Sequence, residues 1–330
     1  MSNFPRVYED LVTLDFDAAG VELENEVVRI ICYWARIGVD SFRVDVANLK
    51  PYSFWQRVLS RVRDRFPSVW FLAEAKVGPT RSHALLRVGF ASAYSIGSFC
   101  ETAVEVRDWL KIESVAGGSY LPWTAFWVST HDGQPFWLRD SLPSAFYARL
   151  AIGALVWPSW GCMSGFEGLE AGMVRDPMSW EFQPADKFGP VQRNYRGGSL
   201  MGDMIALFNH LRRILGLEYW RAHTDAVIVD GLLVIGKLDL MLPLCLIADF
   251  RGHLKAYKAR IPARFSEAMY QGRYRNLLTG ERVRLDHGSV AMSAPDLRDG
   301  FVLALNEAVY TELDLVAGDL LSRMRSHSHG

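Results

Sequence analysis

Three acidic residues each close a short apolar run. Asp45 ends Ser41-Phe42-Arg43-Val44-Asp45, Glu74 ends Trp70-Phe71-Leu72-Ala73-Glu74, and Asp132 ends Phe126-Trp127-Val128-Ser129-Thr130-His131-Asp132. A strand of four or five apolar residues that stops at a carboxylate places that carboxylate on the rim of a sheet. Three such strands in chain order, separated by helical stretches, predict one rim carrying three carboxylates. Two carboxylates at close range are the minimum equipment for breaking a glycosidic bond, and a third can hold the sugar as charge develops on it.

The neighbours of each acid suggest a division of labour. The strand period of two puts Arg43 and Asp45 on one face, with Phe42 and Val44 on the other. A guanidinium within one pleat favours the charged carboxylate, as a nucleophile requires. Glu74 follows Trp70, Phe71, Leu72 and Ala73, and an acid desolvated by apolar neighbours holds its proton to higher pH, as a general acid requires. Asp132 follows His131, whose imidazole can donate to a sugar hydroxyl. The expectation is therefore Asp45 as nucleophile, Glu74 as acid/base and Asp132 as stabiliser.

Residues 21–37 have helical spacing at Val27, Ile30, Ile31 and Trp34 and end at Gly38, a C-cap type. Residues 52–65 form the next helix, with Phe54, Val58, Leu59 and Val62 on one face, and the Pro67 turn leads into the Glu74 strand. Further helices are expected over 101–114 and 141–156, the second broken at Trp157-Pro158. Residues 166–198, rich in Gly, Pro and charge, read as a long loop, and 199–217 as a final amphipathic helix. After His223, short runs at 226–229, 232–236, 244–250, 282–285 and 301–305 predict a small antiparallel β-sandwich. Residues 307–325 carry Val309, Leu313, Val316, Leu320 and Leu321 at helical spacing and read equally as a packing helix or a disordered tail.

Composition excludes several classes of partner. With 36 Lys+Arg against 37 Asp+Glu the net charge is −1, which leaves no electrostatic footprint for nucleic acid or an anionic membrane. The longest apolar stretch, 151–157, is too short to cross a bilayer. Cys32, Cys100, Cys162 and Cys245 are widely spaced, lack metal-ligand spacing and read as reduced thiols of a cytoplasmic protein. The start, Met-Ser-Asn-Phe-Pro-Arg, has no secretory signal pattern. The 11 Trp suit stacking on pyranose faces and suit an aromatic core equally well.

Gly38-Val39-Asp40-Ser41-Phe42-Arg43-Val44-Asp45, Phe71-Leu72-Ala73-Glu74-Ala75 and Ser129-Thr130-His131-Asp132 resemble the three acid motifs of glycoside hydrolase family 13, the α-amylase group. Further segments resemble one branch, the maltosyltransferases that extend α-1,4-glucan from maltose-1-phosphate. They are Asn3-Phe4-Pro5-Arg6-Val7-Tyr8-Glu9-Asp10, Lys50-Pro51, Pro158-Ser159-Trp160-Gly161-Cys162-Met163-Ser164-Gly165-Phe166-Glu167 and Tyr274-Arg275-Asn276-Leu277-Leu278-Thr279-Gly280-Glu281. The likeness covers roughly residues 2 to 305. It implies that Asn3 and Tyr8 help hold the sugar phosphate, that Lys187 lies near the distal sugar, and that Arg43, Lys50 and His131 contact substrate. No cofactor or metal is implied. Two positions depart from the branch: Val46 stands where Asn usually follows the nucleophile, and Thr-His-Asp stands where Thr-Pro-Asp is common.

A (β/α)8 barrel takes about 250 residues, and in this family the nucleophile strand is its fourth. Here only about one helix precedes that strand. The resemblance therefore implies the C-terminal part of a barrel, strands about 4 to 8, in residues 1–222, a sandwich in 223–306 and a tail in 307–330. A second polypeptide supplying the first barrel half, a homodimer, or a truncated remnant would each account for this. Three functions fit: maltosyl transfer to an α-1,4-glucan through a covalent Asp45 intermediate, amylase-type hydrolysis of α-glucans by the same acids, and a catalytically silent glucan-binding remnant.

Overall fold

The first helix, α1 (Phe16–Arg36), begins where the Asp15 carboxylate accepts the N–H groups of Asp17 and Ala18. It ends in a Schellman turn: Gly38, at φ 108°, donates to the Ala35 carbonyl while Val39 donates to that of Trp34. The computed structural model describes residues 14–75, 78–116, 123–133, 138, 142–170, 200–229, 231–237, 245–248, 257–259, 273–283, 285–286, 289–292 and 301–328. They form two compact units, one holding the chain up to Ala75 with Arg81–Ala93, the other Lys76–Thr80 and the chain from Tyr94 onward.

In the first unit α1 is followed by β1 (Ser41–Val44), α2 (Tyr52–Arg63) and β2 (Trp70–Ala73), and α3 (Pro79–Val88) leads to β3 (Ser92–Tyr94). β1 pairs parallel with β2, and β2 parallel with β3. The sequence reading contains neither α3 nor β3; three residues are too few to show a period. The face of α2 is as its spacing predicts, with Phe54, Val58, Leu59 and Val62 buried, and Trp55 joins them.

The face of α1 differs from expectation. It buries Glu24, Val28 and Cys32, one line at i, i+4 and i+8, whereas Ile30 and Trp34 are 43% and 47% exposed. On the buried line the Glu24 carboxylate meets the half-exposed Arg57 guanidinium of α2 at 2.5 Å.

The second unit contains α4 (Ala103–Ala116), β4 (Thr124–Trp127), α5 (Pro143–Val156) and β5 (Ser159–Gly161), with β4 and β5 parallel. Every residue of α5 from Ser144 to Val156 is buried, the pattern of a helix covered on all sides. Gly153 lets it approach β4, because a Cβ there would lie 2.7 Å from a Val128 methyl and 2.8 Å from the Phe126 ring. Glu113 of α4 is buried, and its carboxylate accepts from Ser95 Oγ (2.7 Å), Trp109 Nε1 (2.7 Å), Trp157 Nε1 (2.9 Å) and Thr124 Oγ1 (3.3 Å). Burial pushes its pKa up against the pull of those four donors.

Beyond α6 (Leu200–Arg221) the pairing turns antiparallel. The strands are β6 (Thr224–Val229), β7 (Leu232–Lys237), β8 (Cys245–Ala248), β9 (Tyr257–Ala259), β10 (Tyr274–Asn276), β11 (Leu285–Asp286), β12 (Ser289–Met292) and β13 (Phe301–Asn306). They make a five-stranded sheet in the order β10-β13-β8-β7-β6 and a three-stranded sheet in the order β11-β12-β9. The last helix, α7 (Glu307–Ser328), packs on α6, with an Arg323–Asp203 pair at 2.9 Å between them. It buries Val309, Leu313, Ala317 and Leu321 and leaves Val316 55% exposed, and the backbone leaves helical geometry at Ala317.

Lys237 of β7 is 1% exposed, donates to Thr224 Oγ1 at 2.6 Å and lies 5.3 Å from the Tyr219 ring centre. Burial brings its pKa down to about 7. Between about pH 7 and the ordinary lysine range near about 10 the unfolded chain binds more protons than the folded one, so this group's contribution to stability rises with pH across that window. Lys237→Met is expected to raise stability by about 2 kcal/mol near pH 6 and to lose most of that gain near pH 10. Urea midpoints at both pH values check it.

Candidate active site

β1 and β2 run side by side in the register Phe42↔Phe71, Arg43↔Leu72, Val44↔Ala73. Asp45 and Glu74 are each the next residue, so both leave the carboxyl ends of neighbouring strands at one level. The ladder continues past them: Glu74 N–H donates to the Val44 carbonyl and Ala47 N–H to the Glu74 carbonyl, both at 2.9 Å. Phe42 and Phe71 stack with ring centres 5.6 Å apart.

Arg43 sits between the two acids. Its Nη1 donates to Asp45 Oδ1 at 2.6 Å, and its Nη2 lies 3.5 Å from Glu74 Oε1. The pleat argument for Arg43 and Asp45 is realised directly. The two carboxylates differ in environment, since the Asp45 side chain is 69% exposed and that of Glu74 8%. Glu74 is buried, as its apolar run predicts, but its surroundings are not purely apolar. Besides facing Arg43, its Oε2 accepts the backbone N–H of Val46 at 2.7 Å.

Val46 holds φ 45° and ψ 47°. That is the left-handed region, which costs a β-branched residue on the order of 1–3 kcal/mol. Lys50 fastens the same turn: its Nζ donates to the carbonyls of Asp45 (2.8 Å) and Val46 (3.1 Å). Burial lowers the Lys50 pKa, while the Asp45 and Glu74 charges pull it back up. The indole N–H of Trp55 donates to the Ala47 carbonyl at 3.0 Å and closes the segment from α2.

His131 and Asp132 come together in the second unit. The expected strand up to Asp132 is shorter: β4 stops at Trp127, and its contacts with the β5 side continue only through Val128 N–H to Gly161 O and Met163 N–H to Ser129 O. The Thr130 hydroxyl then takes over, accepting the N–H groups of Asp132 and Gly133 at 3.3 Å each. Such a hydroxyl-closed turn ends a ladder by giving the backbone another partner. His131 Nε2 lies 3.6 Å from Asp132 Oδ1, with side chains 59% and 22% exposed. Behind the turn the wholly buried Arg149 of α5 donates through Nε to Val128 O (2.6 Å) and through Nη2 to Trp127 O (3.2 Å) and Ser98 O.

The structure thus gathers Asp45, Arg43, Glu74 and Lys50 in one unit and His131 with Asp132 in the other. Asn3, Tyr8 and Lys187 lie outside the described residues. The sequence reading does not contain Arg149 or the Val46 amide. A single arginine in the otherwise apolar run 145–157 was the available signal for the first; a backbone amide leaves none for the second. Among the described residues no group of three His, Cys, Asp or Glu is placed to hold a metal ion, and no helix is long and apolar enough to cross a membrane. Cys100 and Cys162 are free thiols whose pKa values burial pushes up to about 12 and about 11, so neither is a ready nucleophile near neutral pH.

No protein-family model matches the chain. Curated proteins do. The α-1,4-glucan:maltose-1-phosphate maltosyltransferase of Corynebacterium glutamicum is 32% identical over 257 residues, covering 72% of this chain and 38% of the relative. That of Burkholderia pseudomallei is 33% identical over 238 residues, covering 69% and 21%, and that of Bifidobacterium animalis subsp. lactis 36% identical over 212 residues, covering 64% and 29%. Among solved structures, an Anoxybacillus α-amylase matches with TM-score 0.68 at 14% identity, over 87% of this chain and 63% of its own. The Geobacillus thermoleovorans α-amylase complexed with acarbose gives 0.66 at 13%, over 87% and 64%. The fold is that of the α-amylases. The chain spans 38% or less of these curated relatives' lengths, and over that span it is a homologue of the α-1,4-glucan:maltose-1-phosphate maltosyltransferases of glycoside hydrolase family 13.

Proposed function

We propose that this chain performs retaining glycosyl transfer on α-glucans, moving a maltosyl group from maltose-1-phosphate to an α-1,4-glucan. One observation carries the reading: two carboxylates of unlike exposure share the Arg43 guanidinium at adjacent parallel strand ends. That is the short-range pair a double displacement needs. Asp45, exposed and paired with a cation, attacks the anomeric carbon; as the C–O bond to phosphate breaks, Glu74 gives its proton to the departing phosphate oxygen and an ester forms on Asp45. A glucan 4-hydroxyl then attacks the anomeric carbon of that glycosyl ester, Glu74 takes its proton, and the carboxylate of Asp45 leaves, restoring the α configuration. Glu74 Oε2 must release the Val46 N–H, or Oε1 its place beside Arg43, when it takes up the proton. Asp132 stabilises charge on the sugar, His131, Arg43 and Lys50 contact it, and Asn3, Tyr8 and Lys187 bind the phosphate and the distal sugar.

In the same reading residues 1–222 are part of a (β/α)8 barrel, 223–306 a β-sandwich and 307–330 a tail. The change from parallel pairing in β1–β5 to antiparallel pairing in β6–β13 supports this division. A further polypeptide, a second chain or a second copy, packs on α1, whose Ile30, Tyr33 and Trp34, with Ile37 just past its end, stand 43%, 50%, 47% and 60% exposed. Such a stripe is wider than scattered surface apolar residues require. The free thiols suit a cytoplasmic setting. Hydrolysis of α-glucans is the second reading, favoured by Val46, whose side chain offers phosphate no donor.

Phosphate release from maltose-1-phosphate with glycogen tests the transfer. The parent is expected to release phosphate and Asp45→Ala to do so about a thousandfold more slowly or worse. Equal rates in the two overturn the role of Asp45, and reducing sugar without phosphate establishes the hydrolase. Arg43→Gln removes the shared cation and is expected to lower kcat/KM by about ten- to a hundredfold in the same assay.

A further inference from the structure

Among the described residues two that are not glycine have positive φ, Val46 and Leu169, and of these Val46 is β-branched. It directly follows Asp45, so the chain reverses immediately behind that carboxylate. A valine left to itself relaxes out of this region, which would swing the Asp45–Val46 peptide and with it the strand end. The backbone at 45–47 is tied by Glu74 Oε2 on Val46 N–H, Ala47 N–H on Glu74 O, Trp55 Nε1 on Ala47 O, and Lys50 Nζ on the carbonyls of Asp45 and of Val46, beside the local Leu49 N–H on Val46 O.

These ties are not equivalent through a reaction cycle. The hold of Glu74 on the Val46 N–H weakens each time the carboxyl takes up a proton, because a neutral carboxyl oxygen accepts more weakly than a carboxylate. The Lys50 ties involve carbonyls that take no part in chemistry. We propose that Lys50 is a positioning residue for Asp45: its ammonium staples the carbonyls of Asp45 and Val46 and so holds the left-handed turn that aims the Asp45 carboxylate. For its catalytic readout this rests on Asp45 being the nucleophile. It departs from a direct sugar contact by Lys50, because two of the three ammonium donors are spent on the backbone.

Three variants separate these roles: Lys50→Met, Lys50→Arg, and Lys50→Met combined with Val46→Gly, since glycine adopts the left-handed conformation without a Cβ clash. Hydrogen exchange over residues 45–50 and steady-state kinetics are read on each, with near-ultraviolet circular dichroism as the check of folding. Positioning predicts that Lys50→Met speeds exchange in this segment about tenfold or more. It also predicts a kcat lower by about tenfold with KM little changed. Lys50→Arg keeps part of both, and the glycine double variant recovers most of the protection and of kcat.

Unchanged exchange in Lys50→Met overturns the proposal. So does a raised KM with unchanged kcat that glycine does not recover, which marks a sugar contact. If the parent itself transfers no sugar, the reading of Asp45 fails, and exchange alone still decides: faster in Lys50→Met and restored by glycine supports the staple, any other pattern overturns it.

Discussion

The parallel pairing of β1 with β2 brings two carboxylates to one level, and Arg43 lies between them as their common cation. Like charges at close range repel strongly where water is scarce, and Glu74 is nearly buried. A guanidinium that reaches both allows the pair to exist without a metal ion. It also leaves them unequal, because one carboxylate looks into solvent and the other is held by a backbone amide. Inequality between two neighbouring acids is the chemical requirement for using one as nucleophile and the other as proton carrier.

The cost of the arrangement is visible next to it. A valine in left-handed geometry is a poor local choice, and it persists because Glu74, Lys50 and Trp55 over-determine the turn from three different places in the chain. The second unit solves an equivalent problem with buried polar groups. Arg149 reaches up from α5 to the carbonyls at the end of β4, and the Glu113 carboxylate collects two indole N–H groups and two hydroxyls. Both draw partners from distant segments, so each ties together elements that hydrophobic packing alone leaves free to slide.

Much of this was legible in the residues. Asp45 and Glu74 were readable because the apolar run before each ends at the carboxylate, and period two placed Arg43 beside Asp45. Asp132 was only half readable: the run before it is apolar to Val128, but Ser129 and Thr130 already compete for the backbone, so the strand ends early and the acid sits in a turn. The buried side of α1 was misplaced because hydrophobic spacing does not anticipate that Glu24, paired with the half-exposed Arg57 of α2, lies on the inner line while Ile30 and Trp34 lie on the outer one. β3 escaped for want of length, and the ten-residue α3 was not read from its spacing. The break in α7 at Ala317 went unread although Gly318 directly follows it, because the hydrophobic spacing runs on across both residues.

The central claim is that Asp45 is the atom donor to a covalent sugar ester. The most direct test is mass spectrometry of a Glu74→Ala variant incubated with maltose-1-phosphate and no acceptor. The account predicts that the peptide containing Asp45 gains the mass of one maltosyl group and that Asp45→Asn abolishes the gain. Adduct on another residue, or free maltose forming with no adduct in a folded Glu74→Ala protein, would contradict it.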